Sequence, residues 1–115
     1  MAFVNHVEFE VTNLKRAAKF YRSVLGFRVR IMPKMNYAMW QAEKGTGGGF
    51  SKVKHVKHGS TTAVFHVKDI DSHLMKAKKM GGRVRQKKGP LPGGMGYYAA
   101  FRDPFGNLIG LWSSH

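Results

Sequence analysis

The sequence contains no cysteine, which excludes disulfide bonds and thiolate metal sites. It also has no run of about 18 apolar residues, so we expect no membrane-spanning helix. The opening residues alternate between apolar and polar and carry charge early, unlike a secretory signal peptide. We therefore expect a soluble, cytoplasmic domain with no membrane partner.

Acidic residues are scarce as well. Six Asp and Glu stand against 20 Lys and Arg, which leaves a formal net charge of +14. The basic residues concentrate in Lys52–His58 and Lys76–Lys88. An excess of this sign favours anionic small molecules or polyanions and disfavours cationic ligands. For each cluster alone, the simpler alternative is a solvated face of a strand or a helix.

The length and the apolar content indicate a single folded domain. A chain of 115 residues has too little apolar surface to build a second independent core. Hydrophobic residues make up 43% of the chain, which is enough for a packed interior and argues against global disorder.

The chain repeats itself, which is the signature of a duplicated unit. A shift of 56 residues superposes Phe9 on Phe65, Val11 on Val67, Asn13 on Asp69, Leu14 on Ile70 and Gly26 on Gly82. In each copy an alternating strand precedes a polar helix cap, an amphipathic helix and a glycine stop. Because strand side chains alternate, His6, Glu8 and Glu10 are expected on one face and Val7, Phe9 and Val11 on the other.

Short β-like segments follow each glycine stop. They are Phe27–Met32, Tyr37–Gln41 and Phe50–Val56 in the first copy, and Arg83–Gln86, Tyr97–Arg102 and Asn107–Trp112 in the second. Glycine-rich loops are predicted at Gly45–Gly49 and at Gly89–Gly96, the second either a mobile flap or a long turn. The order β-α-β-β-β thus occurs twice, in a module of about residues 1–57 and a module of about 58–115.

Three stretches resemble a known superfamily. They are His6–Val11, then Phe20-Tyr21 leading into Val24-Leu25-Gly26-Phe27, and Phe101–Ile109, which is similar to an F-x-D-P-x-G-N turn. Together they resemble the vicinal oxygen chelate proteins, which include glyoxalases, bleomycin-resistance proteins and extradiol dioxygenases. The resemblance implies an α+β fold in which two β-α-β-β-β modules form a curled eight-stranded mixed sheet, a cup with helices outside. It also implies a ligand cavity and a homodimer.

In the enzymes of that superfamily, metal ligands project from the first and last strands of each module. The corresponding positions here are His6, Thr62, Gly110 and Lys52, or Ser51 if the register shifts by one. Only His6 matches, while a catalytic divalent metal needs at least three N or O donors. We therefore expect no metal and no other cofactor, and no catalytic residue is identified.

An atypical metal site is the alternative. His6, Glu8 and His66 would form a two-histidine, one-carboxylate set of the kind used by non-haem iron. However, residues two apart on a strand are separated by about 7 Å, which makes convergence on one ion awkward. The simpler expectation is that the acids pair with some of the many Lys and Arg groups.

Aromatic strand residues suggest how a ligand would be held. Trp40, Tyr98 and Trp112 are either core residues or a stacking wall for a planar molecule. Arg102 and Lys52 are then available for its anionic group. With His6, Glu8, Thr62 and His66 they complete the candidate ligand-binding set.

Three functions follow from these patterns. The first is a metal-independent protein that binds a small anionic or aromatic molecule, and this is our prediction. The second is a metal-dependent lyase, isomerase or dioxygenase with an atypical site, so whether the chain is an enzyme stays open. The third is a basic nucleic-acid-associated module, although the recognisable DNA- and RNA-binding motifs are absent.

Overall fold

The computed structural model describes Val4 and residues 6–59 and 62–115. Residues 1–3, 5, 60 and 61, which the predicted modules include, lie outside the described ones. The chain divides into two units, Met1–Lys57 and His58–His115, here called the first and second modules.

The first module contains one helix and a four-stranded mixed sheet. Its elements are β1 (His6–Val11), α1 (Leu14–Leu25), β2 (Arg28–Met32), β3 (Tyr37–Gln41) and β4 (Gly47–Lys52). The strand order is β1-β4-β3-β2, with β1 and β4 parallel and the other pairs antiparallel. A short 3₁₀ turn at Pro33–Met35 joins β2 to β3.

The second module repeats this plan. Its elements are β5 (Ala63–His66), α2 (Ile70–Lys79), β6 (Arg83–Pro90), β7 (Tyr97–Arg102) and β8 (Leu108–Ser113), with sheet order β5-β8-β7-β6. Again the first and last strands of the module are parallel and the others antiparallel. The predicted α+β fold, with β-α-β-β-β twice, is confirmed.

The helix caps form as the repeat predicts. The Asn13 side chain accepts a hydrogen bond from the Arg16 amide at 2.9 Å, and the Asp69 carboxylate accepts one from the Ser72 amide at 3.2 Å. Gly26 ends α1 with a φ of +70°, in the left-handed region that favours glycine. In α2 that conformation falls on Gly81, with a φ of +98°.

Each helix buries one stripe against its sheet. In α1 the buried residues are Leu14, Ala17, Ala18, Phe20, Tyr21 and Val24, and in α2 they are Ile70, Leu74 and Ala77. The first core is aromatic, because Trp40 stacks on Phe27 at 4.3 Å and Phe50 lies 4.9 Å from Tyr21, between ring centroids. Trp40, only 2% exposed, is thus a core residue, one of its two predicted alternatives.

The predicted glycine loop at Gly45–Gly49 is wrong in its second half, because β4 begins at Gly47. A Cβ on Gly48 would collide with the Val7 carbonyl oxygen and come within 2.7 Å of the Trp40 ring. These glycines therefore allow close packing inside a sheet, rather than a turn. β4 ends at Lys52, before the predicted limit.

The second predicted loop is also shorter than expected. β6 continues to Pro90 instead of ending at Gln86, and two register shifts in its pairing with β7 make room for the extra residues. The remaining connection contains a 3₁₀ turn at Pro92–Gly94. None of the helices in the described ranges is both long enough and apolar enough to span a membrane.

Candidate functional site

The first sheet has one face without a helix, and it carries a polar cluster. Phe9 and Phe50 are buried on the face that α1 covers, and strand alternation puts their neighbours on the opposite face. Four side chains meet there, and we call them the polar cluster: His6, Glu8, Tyr37 and Ser51.

Glu8 is the centre of the polar cluster. Its Oε1 lies 2.8 Å from His6 Nε2 and accepts a hydrogen bond from the Tyr37 hydroxyl at 3.0 Å. The Ser51 hydroxyl donates to its Oε2. The side chains of His6 and Glu8 are 44% and 40% exposed, so solvent or a solute can reach them. The predicted pairing of Glu8 with Lys or Arg is not what the structure shows, because these donors surround the carboxylate instead.

The hydrogen bonds control the charge state of the polar cluster. Partial burial acts to raise the pKa of Glu8, but the hydrogen bonds from Ser51, His6 and Tyr37 outweigh it and leave that pKa below its ordinary value. Burial and the neighbouring Glu8 carboxylate raise the pKa of Tyr37. Near neutral pH, Glu8 is therefore ionised and Tyr37 is a neutral donor.

A glycine makes this geometry available. The Tyr37 side chain crosses the strand above Gly49, where a Cβ would collide with its hydroxyl and ring. The sequence analysis did not single out Tyr37, since only the strand register, which places Tyr37 opposite Ser51, reveals the contact. The triple glycine at 47–49 was the available signal, and it was interpreted as a loop.

The helix-free face of the second sheet is aromatic at one end. There the Trp112 indole N–H donates to the Met95 carbonyl at 2.9 Å, and its ring centroid lies 5.1 Å from that of His66. Tyr98 stands opposite Trp112 in the register and lies over Gly110, whose added Cβ would be 2.9 Å from its hydroxyl. Tyr98 and Trp112 are half-buried and His66 is exposed.

The other end of that face carries two arginines. Arg102 and Arg83 are directly opposite each other on β7 and β6. One Arg102 nitrogen donates to the Gly106 carbonyl at 2.8 Å, which ties the guanidinium to the β7–β8 turn. Like charges facing each other across two strands are unfavourable, so an anion placed between them would be stabilising.

The β7–β8 turn itself is a scaffold feature. Asp103 Oδ1 accepts hydrogen bonds from the amides of Phe105 and Asn107 at 2.9 and 2.8 Å. Asn107 also donates its side-chain amide to the other Asp103 oxygen at 3.0 Å. The conspicuous D-P-F-G-N motif therefore builds a turn and supplies no group for chemistry.

The remaining candidates lie apart from these two groups. Lys52 is exposed at the end of β4 and, by alternation, on the opposite strand face from Ser51. Thr62 is half-buried just before β5.

The donors present do not fit the metal site that the resemblance implies. Glu8 pairs with Gly49, and Val64, its counterpart in the repeat, pairs with Gly110. The position equivalent to Gly110 is therefore Gly49, not Lys52 or Ser51, and neither glycine has a donor side chain. Within the described ranges, no three His, Asp or Glu side chains are grouped to hold a metal.

Comparison with known proteins gives a consistent picture. The family model of the Glyoxalase/Bleomycin resistance protein/Dioxygenase superfamily matches residues 3–111. No curated protein sequence matches the chain.

Several solved structures share the fold. A glyoxalase/bleomycin resistance protein from Albidiferax ferrireducens T118 is 22% identical with a TM-score of 0.79, over 96% of this chain and 97% of that one. The fosfomycin resistance protein FosX from Listeria monocytogenes is 15% identical with a TM-score of 0.79, over 98% and 93%. Glyoxalase I from Zea mays is 25% identical with a TM-score of 0.73, over 95% of this chain and 45% of that one.

Proposed function

The chain belongs to the Glyoxalase/Bleomycin resistance protein/Dioxygenase superfamily, and we propose that it binds a small anionic aromatic molecule without the metal site of its enzymes. One observation carries the proposal. The helix-free face of the second sheet has aromatic rings at one end and a pair of arginines at the other.

The aromatic end supports stacking of a planar ligand. Trp112 is held by its hydrogen bond to the Met95 carbonyl, and Tyr98 is held above Gly110, so neither ring has to be ordered on binding. Both rings keep part of their surface exposed. Fixed, partly exposed aromatic rings are typical of pockets that bind planar molecules.

The basic end supports recognition of an anion. Arg102 lies four residues from Tyr98 on β7, which corresponds to about 13 Å along an extended strand. The residues between them in the sheet, Ala100 and Gly110, are small. A ring against Trp112 and a carboxylate or phosphate at Arg83 and Arg102 would satisfy both ends.

Calorimetry with a matched ligand series tests the proposal. Aryl carboxylates and aryl phosphates are compared with an aliphatic carboxylate and with a cationic aromatic amine. We expect the anionic aromatic compounds to bind, and Arg102→Gln to weaken them about tenfold, the range for a lost charged hydrogen bond. Arg28→Gln on β2 of the first module is the control with the same charge change. If no anionic aromatic compound binds, or if both variants behave alike, the proposal is wrong.

Metal content tests the second half of the proposal. The purified protein is incubated with Fe(II), Ni(II), Zn(II) and Mn(II), desalted and analysed by mass spectrometry. We expect less than stoichiometric metal, because His6 and Glu8 are the only donors of the implied type that the polar cluster brings together. One equivalent of metal that disappears in His6→Ala would instead support a metal-dependent lyase, isomerase or dioxygenase.

The cellular setting is proposed on the family resemblance. We expect a cytoplasmic homodimer, as the resemblance implies, and light scattering of the purified chain measures its mass against 12.9 kDa for one copy.

A further inference from the structure

We propose that the second module binds the phosphate backbone of nucleic acids through a basic ridge distinct from the aromatic and arginine face. The basic ridge is defined by the exposed cations at the end of α2 and along β6: Lys76, Lys78, Lys79, Arg85 and Lys87. The proposal concerns a surface, and it is independent of the small-molecule function.

The backbone makes the basic ridge continuous. The Gly82 amide donates to the Ala77 carbonyl at 2.7 Å and the Gly81 amide to the Lys78 carbonyl at 3.3 Å, which closes α2 with a tight turn. β6 starts directly after this turn, at Arg83. The lysines of the last helical turn and the cations of the strand are therefore neighbours on one surface.

The basic ridge is not neutralised by the protein. Residues 76–88 include seven Lys and Arg and no Asp or Glu. Throughout the part of the chain that the structure describes, none of these seven groups forms an ion pair. Lys88 is the one held by a neighbour, with its Nζ 4.9 Å from the centre of the Tyr97 ring. Such a density of unpaired positive charge attracts a polyanion.

The shape of the surface suits a linear polyanion. β6 is an edge strand that is hydrogen-bonded only to β7, and eight extended residues span about 26 Å. Its outer edge presents peptide N–H groups beside the cations, and phosphate oxygens accept bonds from both. The register shifts around Arg85 add cations along this edge.

Two simpler explanations account for less. Charges and bulges protect edge strands from pairing with other chains, but that need does not extend to the lysines of α2. A segment that lies on a membrane combines its basic face with a broad apolar one. β6 exposes a single large apolar side chain, Val84, so the surface fits phosphates in water better than a lipid bilayer.

Two variants of equal charge test the location. Ridge variant: Lys78, Lys79, Arg85 and Lys87 are changed to Gln. Control variant: the exposed Lys15, Lys19, Lys34 and Lys44 of the first module are changed to Gln. Each variant lowers the net charge from +14 to +10. Binding of a fluorescein-labelled DNA duplex and a labelled single-stranded RNA is followed by anisotropy between about 50 and 200 mM salt.

We expect salt-dependent binding of both probes by the wild-type protein. The ridge variant should lose at least about tenfold in affinity, and the slope of log K against log salt on the duplex should fall by about 3 to 4, since each phosphate contact contributes about 0.9. The control variant should stay within about threefold of wild type. If the ridge variant does not fold, Lys78→Arg, Lys79→Arg and Lys87→Arg together should bind as wild type.

Three outcomes would overturn the proposal. They are undetectable binding to both probes at about 0.15 M salt, equal losses in the two charge variants, and binding to phosphatidylserine vesicles without binding to nucleic acid. Arg102→Gln is expected to leave nucleic-acid binding unchanged, so failure here is separable from failure of the small-molecule proposal.

Discussion

The two modules share one backbone plan but place different chemistry on their helix-free faces. In the first, Tyr37 crosses Gly49 and reaches the Glu8 carboxylate. In the second, Tyr98 crosses Gly110 and meets the Val64 side chain, which stands where Glu8 stands in the repeat. The tyrosine-over-glycine arrangement therefore belongs to the duplicated scaffold, and the residue on the first strand decides whether the face is polar or apolar.

The same contrast continues at the neighbouring positions. The strand registers make Ser51 equivalent to Trp112 and Gln41 equivalent to Arg102. The first module thus holds a hydroxyl beside its carboxylate, while the second holds an indole and a guanidinium. One module is built around a fixed negative charge, whereas the other is suited to receive one.

The cores also differ, and the largest expected effect comes from that difference. Trp40 is 2% exposed and stacks on Phe27, whereas Trp112 is half-buried on an open face. We expect Trp40→Ala to reduce the free energy of unfolding by about 3–5 kcal/mol and Trp112→Ala by less than about 2 kcal/mol. Urea denaturation of both variants measures the difference. Equal losses would mean that Trp112 is as much a core residue as Trp40.

A pair of glycines gives the next comparison. An added Cβ at Gly48 meets the Val7 carbonyl oxygen, which is backbone, while at Gly110 it meets the side-chain ends of Tyr98 and Val64 at 2.9 Å. Side-chain ends can move, so we expect Gly48→Ala to cost about 3 kcal/mol or more and Gly110→Ala about 1 kcal/mol. Thermal unfolding of the two variants measures this. A larger loss at Gly110 would contradict the packing described for β4.

What the sequence predicted and what it did not follow from the range of the interactions. The caps at Asn13 and Asp69 and the turn at Asp103 depend on residues a few positions away, so their patterns were readable. The role of Gly48 and Gly49 depends on Trp40 and Tyr37, which meet them only through strand pairing. Local composition therefore indicated a loop where a strand forms.

Missing chemistry has the same origin. Tyr37 joined the site only because the register of β3 and β4 puts it opposite Ser51. The first-module counterpart of Gly110 was also misassigned from the sequence, because the bounds of β4 were wrong. His6 and Glu8, by contrast, lie on a strand whose alternation is visible in the sequence, and their shared face was predicted correctly.

The smallest expected effect is a dependence of stability on pH that only the first module can show. The folded state lowers the pKa of Glu8 below its ordinary value of 4.5, so the unfolded chain binds a proton more readily there. The stabilisation from Glu8 is therefore present above the unfolded pKa and is lost as pH falls through the folded pKa. Val64, the equivalent residue of the second module, has no proton to bind.

Urea denaturation of wild type, Glu8→Gln and the matched control Glu43→Gln at pH 7 and at about pH 3 isolates this effect. Because the Glu8 side chain is 40% exposed, solvent screens its interactions, and we expect wild type to exceed Glu8→Gln by less than about 1 kcal/mol at pH 7. The difference should shrink at the lower pH, whereas Glu43→Gln, in the exposed β3–β4 connection, should follow wild type at both. A gap between wild type and Glu8→Gln that widens on acidification would mean that the Ser51, His6 and Tyr37 contacts favour the protonated carboxyl, and the contrast between a charged first module and an anion-receiving second module would then be lost.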